Sequence, residues 1–354
     1  AEFQQASLNS ALESITLLKN ENGILPLSKN QKVLIAGPTS NNLVYLNGAW
    51  THTWQGVDTA YNTSGCLTVR QAFEKKLGKE NCLFSQGAEL YSENNFEKTR
   101  FVNLTDYQEK VRQADVVVLC LGELPATEKP GDILSLNLDA EQRELAKLAC
   151  AQNKKVILVL LEGRPRVIHD IVTGASGIIQ AYLPGNYGAE ALVSLMYGDK
   201  NFSGKLPYTY PKFDGVIEFY DHPKSVDRSK AGDFSAYNPE WDFEYTALTL
   251  NQTIFSDNDS IAVTVTLKNN SSIAGKEVIQ LYVSDDYASL IPTGKSLKRF
   301  VKIDVPAKTE VSKTFYLNLK DFQFVGKEGD FIVEEGDFTI RVGNLTKKLS
   351  YKKK

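Results

Sequence analysis

Four nearly uninterrupted apolar runs punctuate the first part of the chain. They are Lys32-Val-Leu-Ile-Ala-Gly37, Asp115-Val-Val-Val-Leu-Cys-Leu-Gly122, Lys155-Val-Ile-Leu-Val-Leu-Leu161 and Gly177-Ile-Ile-Gln-Ala-Tyr182. Runs of this length without polar alternation predict strands of a parallel sheet covered on both faces. Between them lie stretches of helical periodicity at Thr68–Leu77, Thr105–Gln113, Asp139–Ala151 and Gly188–Tyr197. The third opens with Asp139 and carries Gln142 three positions on, which predicts a capping box at its start. Strands alternating with helices build right-handed βαβ units, so the first fold class expected is α/β, an open, mostly parallel sheet sandwich.

The grammar changes after about residue 210. Residues 211–245 are rich in Pro, Asp, Ser and Gly with little periodicity, and they predict a connector. From Ser260 the apolar positions recur every second residue: Ile261–Leu267, Glu277–Val283, Val311–Leu319 and Asp337–Val342. Turn residues such as Asn269-Asn270-Ser271 and Glu335-Gly336 separate these runs. Short alternating strands with regular turns predict an all-β sandwich over 246–354. The 354 residues suffice for these two domains.

Charge narrows the partners. With 40 Lys and Arg against 43 Asp and Glu, the net charge is −3, so the basic face that nucleic acid requires is not expected. No apolar stretch reaches the length of a membrane span, and Ala1–Ser10 lacks the basic start and apolar core of a signal peptide. Cys66, Cys82, Cys120 and Cys150 include no CxxC pair, so neither zinc nor any other cofactor is expected; Cys66 and Cys82 could pair in an oxidising compartment.

In an open parallel sheet, ligands sit beyond the carboxyl ends of the strands. Three segments lie there: Gly37–Gly56, Gly122–Asp132 and Leu183–Gly188. The second gathers Glu123, Glu128 and Asp132 in a loop broken by Pro125, Pro130 and Gly131. Hydrolysis of a glycosidic bond needs one carboxylic acid to protonate the leaving oxygen and a second carboxylate as nucleophile or base. An ordinary acidic surface loop has the same composition. The first segment places Trp50 and Trp54 in a polar, Gly-bounded loop beside Gln55. Indole faces pack on the C–H faces of sugar rings, and they also plug domain interfaces. Gly185 and Gly188 precede a helix, but no phosphate-binding fingerprint follows a strand, so a tight turn is expected there.

Together these motifs resemble glycoside hydrolase family 3. Glu13-Ser-Ile-Thr-Leu-Leu-Lys-Asn-Glu-Asn-Gly-Ile-Leu-Pro-Leu27 is similar to the segment that follows the family's N-terminal barrel, so 1–27 is expected to be a post-barrel linker and first helix, and 28–210 the α/β domain. Gly48-Ala-Trp-Thr-His-Thr-Trp-Gln-Gly56 resembles a GGWTxxWQG loop with Ala49 in place of one glycine. Gly122-Glu123, Thr127-Glu128 and Gly131-Asp132 resemble the loop that supplies the general acid/base. Gly198–Pro207, Glu277–Val283 and Pro292–Phe300 match further signatures, the last two in a fibronectin-III-like (immunoglobulin-like) sandwich.

The resemblance implies a retaining, exo-acting β-glycosidase of the β-glucosidase class. Glu128 is then the acid/base. Trp54 clamps the sugar on the leaving-group side, supported by Trp50 and Gln55, and Glu123 joins this substrate-binding set as a supporting carboxylate. It implies a periplasmic or secreted protein with a β-glucoside as substrate. The family's nucleophile is an Asp in an Asp-Trp pair on the barrel, and this chain contains no such dipeptide. The implied partner is therefore an N-terminal barrel domain, in cis or as a separate chain, and this chain alone is expected to be inactive. A departure occurs at Trp241-Asp-Phe-Glu-Tyr-Thr246, where the family has a glycine-containing turn. The other reading is a non-catalytic carbohydrate-binding accessory module.

Overall fold

The computed structural model describes residues 2–62, 65–93, 96–153, 155–215, 243–290 and 294–353. Most of the expected connector lies outside them, as do Trp241, Asp242, Pro292 and Thr293. The chain divides into two compact units, whose described parts are 2–215 and 243–353.

In chain order the first unit holds α1 (Glu2–Ser14), β1 (Thr16–Asn20), β2 (Val33–Ala36), α2 (Val69–Leu77), β3 (Cys82–Ser85), β4 (Ala88–Glu93), β5 (Phe96–Phe101), α3 (Leu104–Gln113), β6 (Val116–Gly122), α4 (Ala140–Gln152), β7 (Val156–Leu161), α5 (His169–Val172), β8 (Gly177–Gln180) and α6 (Gly188–Met196). Six strands form one sheet in the order β1-β8-β7-β6-β2-β3, and only β1 runs antiparallel to its neighbour. Every residue of β6 and β7 is buried, which is why their runs carry no polar alternation. α2 packs with α6 and α6 with α1, while α3 packs with α4 and α4 with α5. Leu145, Ala146 and Ala149 of α4 and Tyr107 and Val111 of α3 join the strand side chains in one core.

Reading the parallel strands by their place in the chain, the order reverses between β2 and β6. That is the topological switch point of a doubly wound sheet, where the loops leaving the two strands part and open a crevice. Gly37 closes the end of β2 with φ +95°, and a Cβ there would stand 2.0 Å from the carbonyl oxygen of Cys120 on β6. Only glycine lets the two backbones come this close.

The capping box expected at Asp139 does not form. Asp139 accepts instead from Thr99 Oγ1 at 2.8 Å on β5, and Gln142 turns inward to bond both the amide (3.0 Å) and the carbonyl (2.9 Å) of Gly122. Tertiary bonding to a buried loop outcompetes the local cap. A capping box does form at the start of α2, between Thr68 and Gln71, and Thr68 Oγ1 also donates to Asn41 at 3.0 Å.

The second unit is an all-β sandwich. Its strands are β9 (Phe243–Leu250), β10 (Ile254–Phe255), β11 (Ile261–Asn269), β12 (Gly275–Asp285), β13 (Ser296–Val305), β14 (Glu310–Leu317), β15 (Phe324–Val325), β16 (Phe331–Ile332), β17 (Gly336–Val342) and β18 (Leu345–Tyr351). One sheet is β10-β18-β17-β12-β13 and the other β14-β11-β9, with β15 and β16 paired apart. Ile261, Val263, Val265 and Leu267 alternate inward from β11 against Ile279, Leu281 and Val283 of β12. Phe255, Phe322, Phe338 and Tyr351 close the core, with Phe255 and Phe322 ring centroids 4.5 Å apart. Among the described residues no helix is long and apolar enough to cross a membrane.

Replacing Thr68 with Ala removes the cap of α2 and its tie to Asn41. We expect a loss of about 1 kcal/mol in the unfolding of the α/β unit, measured by urea titration. An unchanged midpoint would mean that the cap carries no weight.

Candidate functional site

Beyond the carboxyl ends of β2, β6, β7 and β8, four loops converge on a cavity of about 330 Å³. Ala49, Thr127, Glu128, Gly131, Arg164 and Leu183 are among its walls.

The loop after β2 closes on itself at Gly48–Gly56. Trp50 N donates to Trp54 O at 2.9 Å, and Gly56 adopts φ +71°, where a Cβ would lie 2.3 Å from Gly48 O. Asn47 Nδ2 donates to Asn186 at 3.0 Å and Gly185 N to Leu46 O at 2.7 Å, so the Leu183–Gly188 turn buttresses this loop. Trp50 is 67 % exposed and Trp54 47 %. The Trp54 indole Nε1 donates to Glu128 Oε1 at 3.3 Å. Gln55 pins the same segment through its backbone: its Nε2 donates to Thr127 O at 3.3 Å, and its Oε1 accepts from Thr127 N at 3.1 Å. The structure thus brings Trp54, Gln55 and Glu128 together from 74 residues apart at most. Trp50 lies on the same loop and is tied to it through its backbone.

Glu128 is exposed and sits at φ 55°, ψ −150°, a region that a residue with a Cβ rarely enters. A single helical turn at Lys129–Gly131 follows, closed by Gly131 N to Glu128 O at 2.8 Å. Such backbone strain costs on the order of 1–3 kcal/mol and persists only where the surroundings over-determine it.

Glu123 has both oxygens engaged inside the protein and is 4 % exposed. Oε1 accepts from Gly163 N at 3.0 Å and Arg164 N at 2.9 Å; Oε2 accepts from Arg164 Nε at 2.9 Å and Arg166 Nη1 at 3.0 Å. Burial pushes this carboxyl up, but the bonds from Arg164 and the charges of the two guanidiniums outweigh it and hold it below the usual range. Arg166, itself buried, also bonds Glu97 Oε1 at 3.1 Å and the carbonyls of Leu136 and Asn137. Glu97, on β5, is held above its usual value by burial, which the Arg166 charge only partly opposes.

One further carboxyl lies at the end of β7. Glu162 is 0 % exposed; Tyr210 Oη stands 2.8 Å from its Oε1 and 2.7 Å from Arg166 O. A phenol has one proton to donate. Both contacts are satisfied when the carboxyl keeps its own proton and donates it to Tyr210. Burial drives the Glu162 carboxyl up to about 8, although Tyr210 and the Arg166 amide would donate to its charged form and so pull the other way.

Sequence reading did not single out Arg164, Arg166, Glu97 or Glu162, and it gave Gln142 a role in a helix cap rather than at Gly122. A signal was present in Glu162-Gly-Arg-Pro-Arg166, which leaves a buried strand at the same sheet end as the acidic loop. Cys82, Cys120 and Cys150 carry no disulfide in the structure.

Residues 15–247 match the glycosyl hydrolase family 3 C-terminal domain, and residues 277–346 a fibronectin type III-like domain. The chain is 33 % identical over 347 residues to the lysosomal beta glucosidase of Dictyostelium discoideum, an alignment covering 91 % of this chain and 41 % of that protein. It is 26 % identical over 351 residues to the periplasmic beta-glucosidase of Salmonella typhimurium, covering 89 % of this chain and 45 % of that one. The chain spans less than half the length of these relatives. A β-glucosidase from Listeria innocua, solved with laminaribiose, superposes with a TM-score of 0.82 at 26 % identity, over 99 % of this chain and 50 % of that structure.

A protonated Glu162 fixes a sign for pH dependence. The unfolded carboxyl releases its proton near 4.5, whereas the folded one keeps it to about 8. Between these values the native state binds more protons, so stability falls as pH rises, by up to about 1.4 kcal/mol per unit. Glu162→Gln should flatten this slope in denaturant titrations at pH 5, 6, 7 and 8. Equal slopes in the two proteins would show that Glu162 does not titrate in this window.

Proposed function

We propose that this chain, which belongs to glycosyl hydrolase family 3, supplies the general acid/base and the leaving-group side of the site to a retaining, exo-acting β-glycosidase of the β-glucosidase class. The observation that carries this reading is the meeting of Trp54 and Glu128 above the switch point, with the indole N–H on the carboxyl at 3.3 Å. An aromatic face beside a proton donor is what a sugar bound across a scissile bond requires.

In the first step the C1–O bond breaks. The glycosidic oxygen takes the proton of Glu128 and leaves as an alcohol, while an Asp carboxylate bonds to C1. In the second step water attacks C1, returns a proton to Glu128 and releases the sugar and the Asp. Retaining chemistry needs the two carboxyl groups about 5–5.5 Å apart. We assign the Asp to an N-terminal barrel, in cis or on a second chain, which accords with the chain's share of its relatives' length, 41 % in one case. Trp50 and Gln55 shape the loop around the sugar, and Glu123 supports the acid loop from beneath. A periplasmic or secreted setting fits the periplasmic relative.

In the enzyme assembled with its barrel, Glu128→Gln should lower kcat on an aryl β-glucoside by about 10²- to 10⁴-fold while leaving sugar binding in place. Activity untouched by Glu128→Gln, together with glycan binding lost on Trp54→Ala, would point instead to an accessory carbohydrate-binding module.

A further inference from the structure

We infer that Arg164 is a positioning residue for Glu128, clamping the strained turn that presents the carboxyl to the paired base of the β6 and β7 loops; the catalytic consequence rests on the function proposed above. The guanidinium reaches two partners at once. Nε and Nη2 hold Glu123 Oε2 at 2.9 and 2.7 Å, and Nη1 donates to the carbonyl of Gly131. Gly131 in turn closes its turn on Glu128 through the 2.8 Å amide bond. Glu128 is therefore gripped on both sides along the chain, at Thr127 by Gln55 and at Gly131 by Arg164. Both clamps are anchored: the Gln55 loop closes on itself, and Glu123 is buried against two backbone amides and Arg166.

The geometry calls for arginine. A planar fork bonds in two directions, whereas a lysine ammonium reaching Glu123 is a point charge at the end of a flexible stem. Arg164 also lines the cavity with Glu128, so the clamp is part of the wall that a leaving group meets. Displacing a reacting group by about 1 Å costs on the order of 10²-fold in rate.

Two measurements test this. In the chain as it stands, hydrogen exchange at the Gly131 amide should speed up in Arg164→Ala, and partly in Arg164→Lys, while the β6 and β7 amides stay protected. In the assembled enzyme, Arg164→Ala should lower kcat/KM about 10²-fold on alkyl glucosides, whose departure needs a proton, and by only about 3-fold on dinitrophenyl glucoside, whose departure does not. Glu128→Gln should show the same leaving-group pattern more strongly, and the double variant should fall no further. Equal losses on both substrates, or Gly131 exchange unchanged in both variants, would overturn the positioning role. Glu128→Gln without leaving-group dependence would overturn the acid assignment itself, and the exchange experiment would still report the clamp. Should Arg164→Ala not fold, Arg164→Lys carries both readouts, with an intermediate loss expected.

Discussion

The ion network centred on Glu123 is the constraint on which the loops at the carboxyl end of the sheet depend. Glu123 follows β6, Arg164 and Arg166 follow β7, and Glu97 lies on β5, so one buried cluster ties three segments distant in sequence. Taking such charges out of water is expensive, and their attraction offsets that cost only when the remaining lone pairs are bonded. Here the backbone amides of Gly163 and Arg164 complete Glu123, and the carbonyls of Leu136 and Asn137 complete Arg166. Removing one member leaves the others buried and uncompensated, which typically costs 3–5 kcal/mol. The network gains little stability over an apolar core; what it fixes is the direction in which each loop leaves the sheet.

The Gly122–Asp132 loop is anchored near its start by apolar packing, where Leu124 lies against Val44, Tyr45 and Leu90 and Pro125 is buried. Its start is held by Gln142, its middle by Gln55 and its end by Arg164. Polar side chains from other segments act with this packing to place a carboxylate at an unfavourable φ on the rim of the cavity. Each neutral bond contributes only about 1 kcal/mol net. Several acting on eleven residues are enough to hold a conformation costing on the order of 1–3 kcal/mol.

The legibility of this architecture follows the physics of each part. The β6 and β7 runs were readable because burial on both faces leaves no room for polar residues, and the β11 and β12 alternation because one face of each strand is packed. β1 was not read as a strand: Thr16-Leu-Leu-Lys-Asn20 ends in polar residues whose burial comes from pairing with β8. The β4–β5 hairpin was missed because Phe96-Glu-Lys-Thr-Arg-Phe101 is mostly exposed and charged. Glu128, Trp54 and Gln55 enter the proposed site through the resemblance of their motifs, and the structure brings them together. The roles of Arg164, Arg166 and Gln142 were not legible, since a charged or amide side chain at a strand or helix end looks like an ordinary solvated residue until its buried partner is known. The capping box expected at Asp139 failed for the same reason: Gln142 was needed at Gly122.

Three glutamates at one end of the sheet show how environment divides the work among identical side chains. Glu123 is kept charged, because two guanidiniums and two amides outweigh its burial. Glu162 is kept neutral, because it is sealed behind Tyr210 with one oxygen lacking any bond among the described residues. Neither can exchange protons with a ligand: one is saturated with donors and the other is walled in. Glu128 alone lies on the rim, bonded through a single long contact from Trp54 and otherwise open to solvent. The role proposed for Glu128 asks for a carboxyl that is reachable on one side and fixed on the other. The strained turn accords with that proposal, since its backbone is gripped at Thr127 and Gly131 while its side chain is exposed.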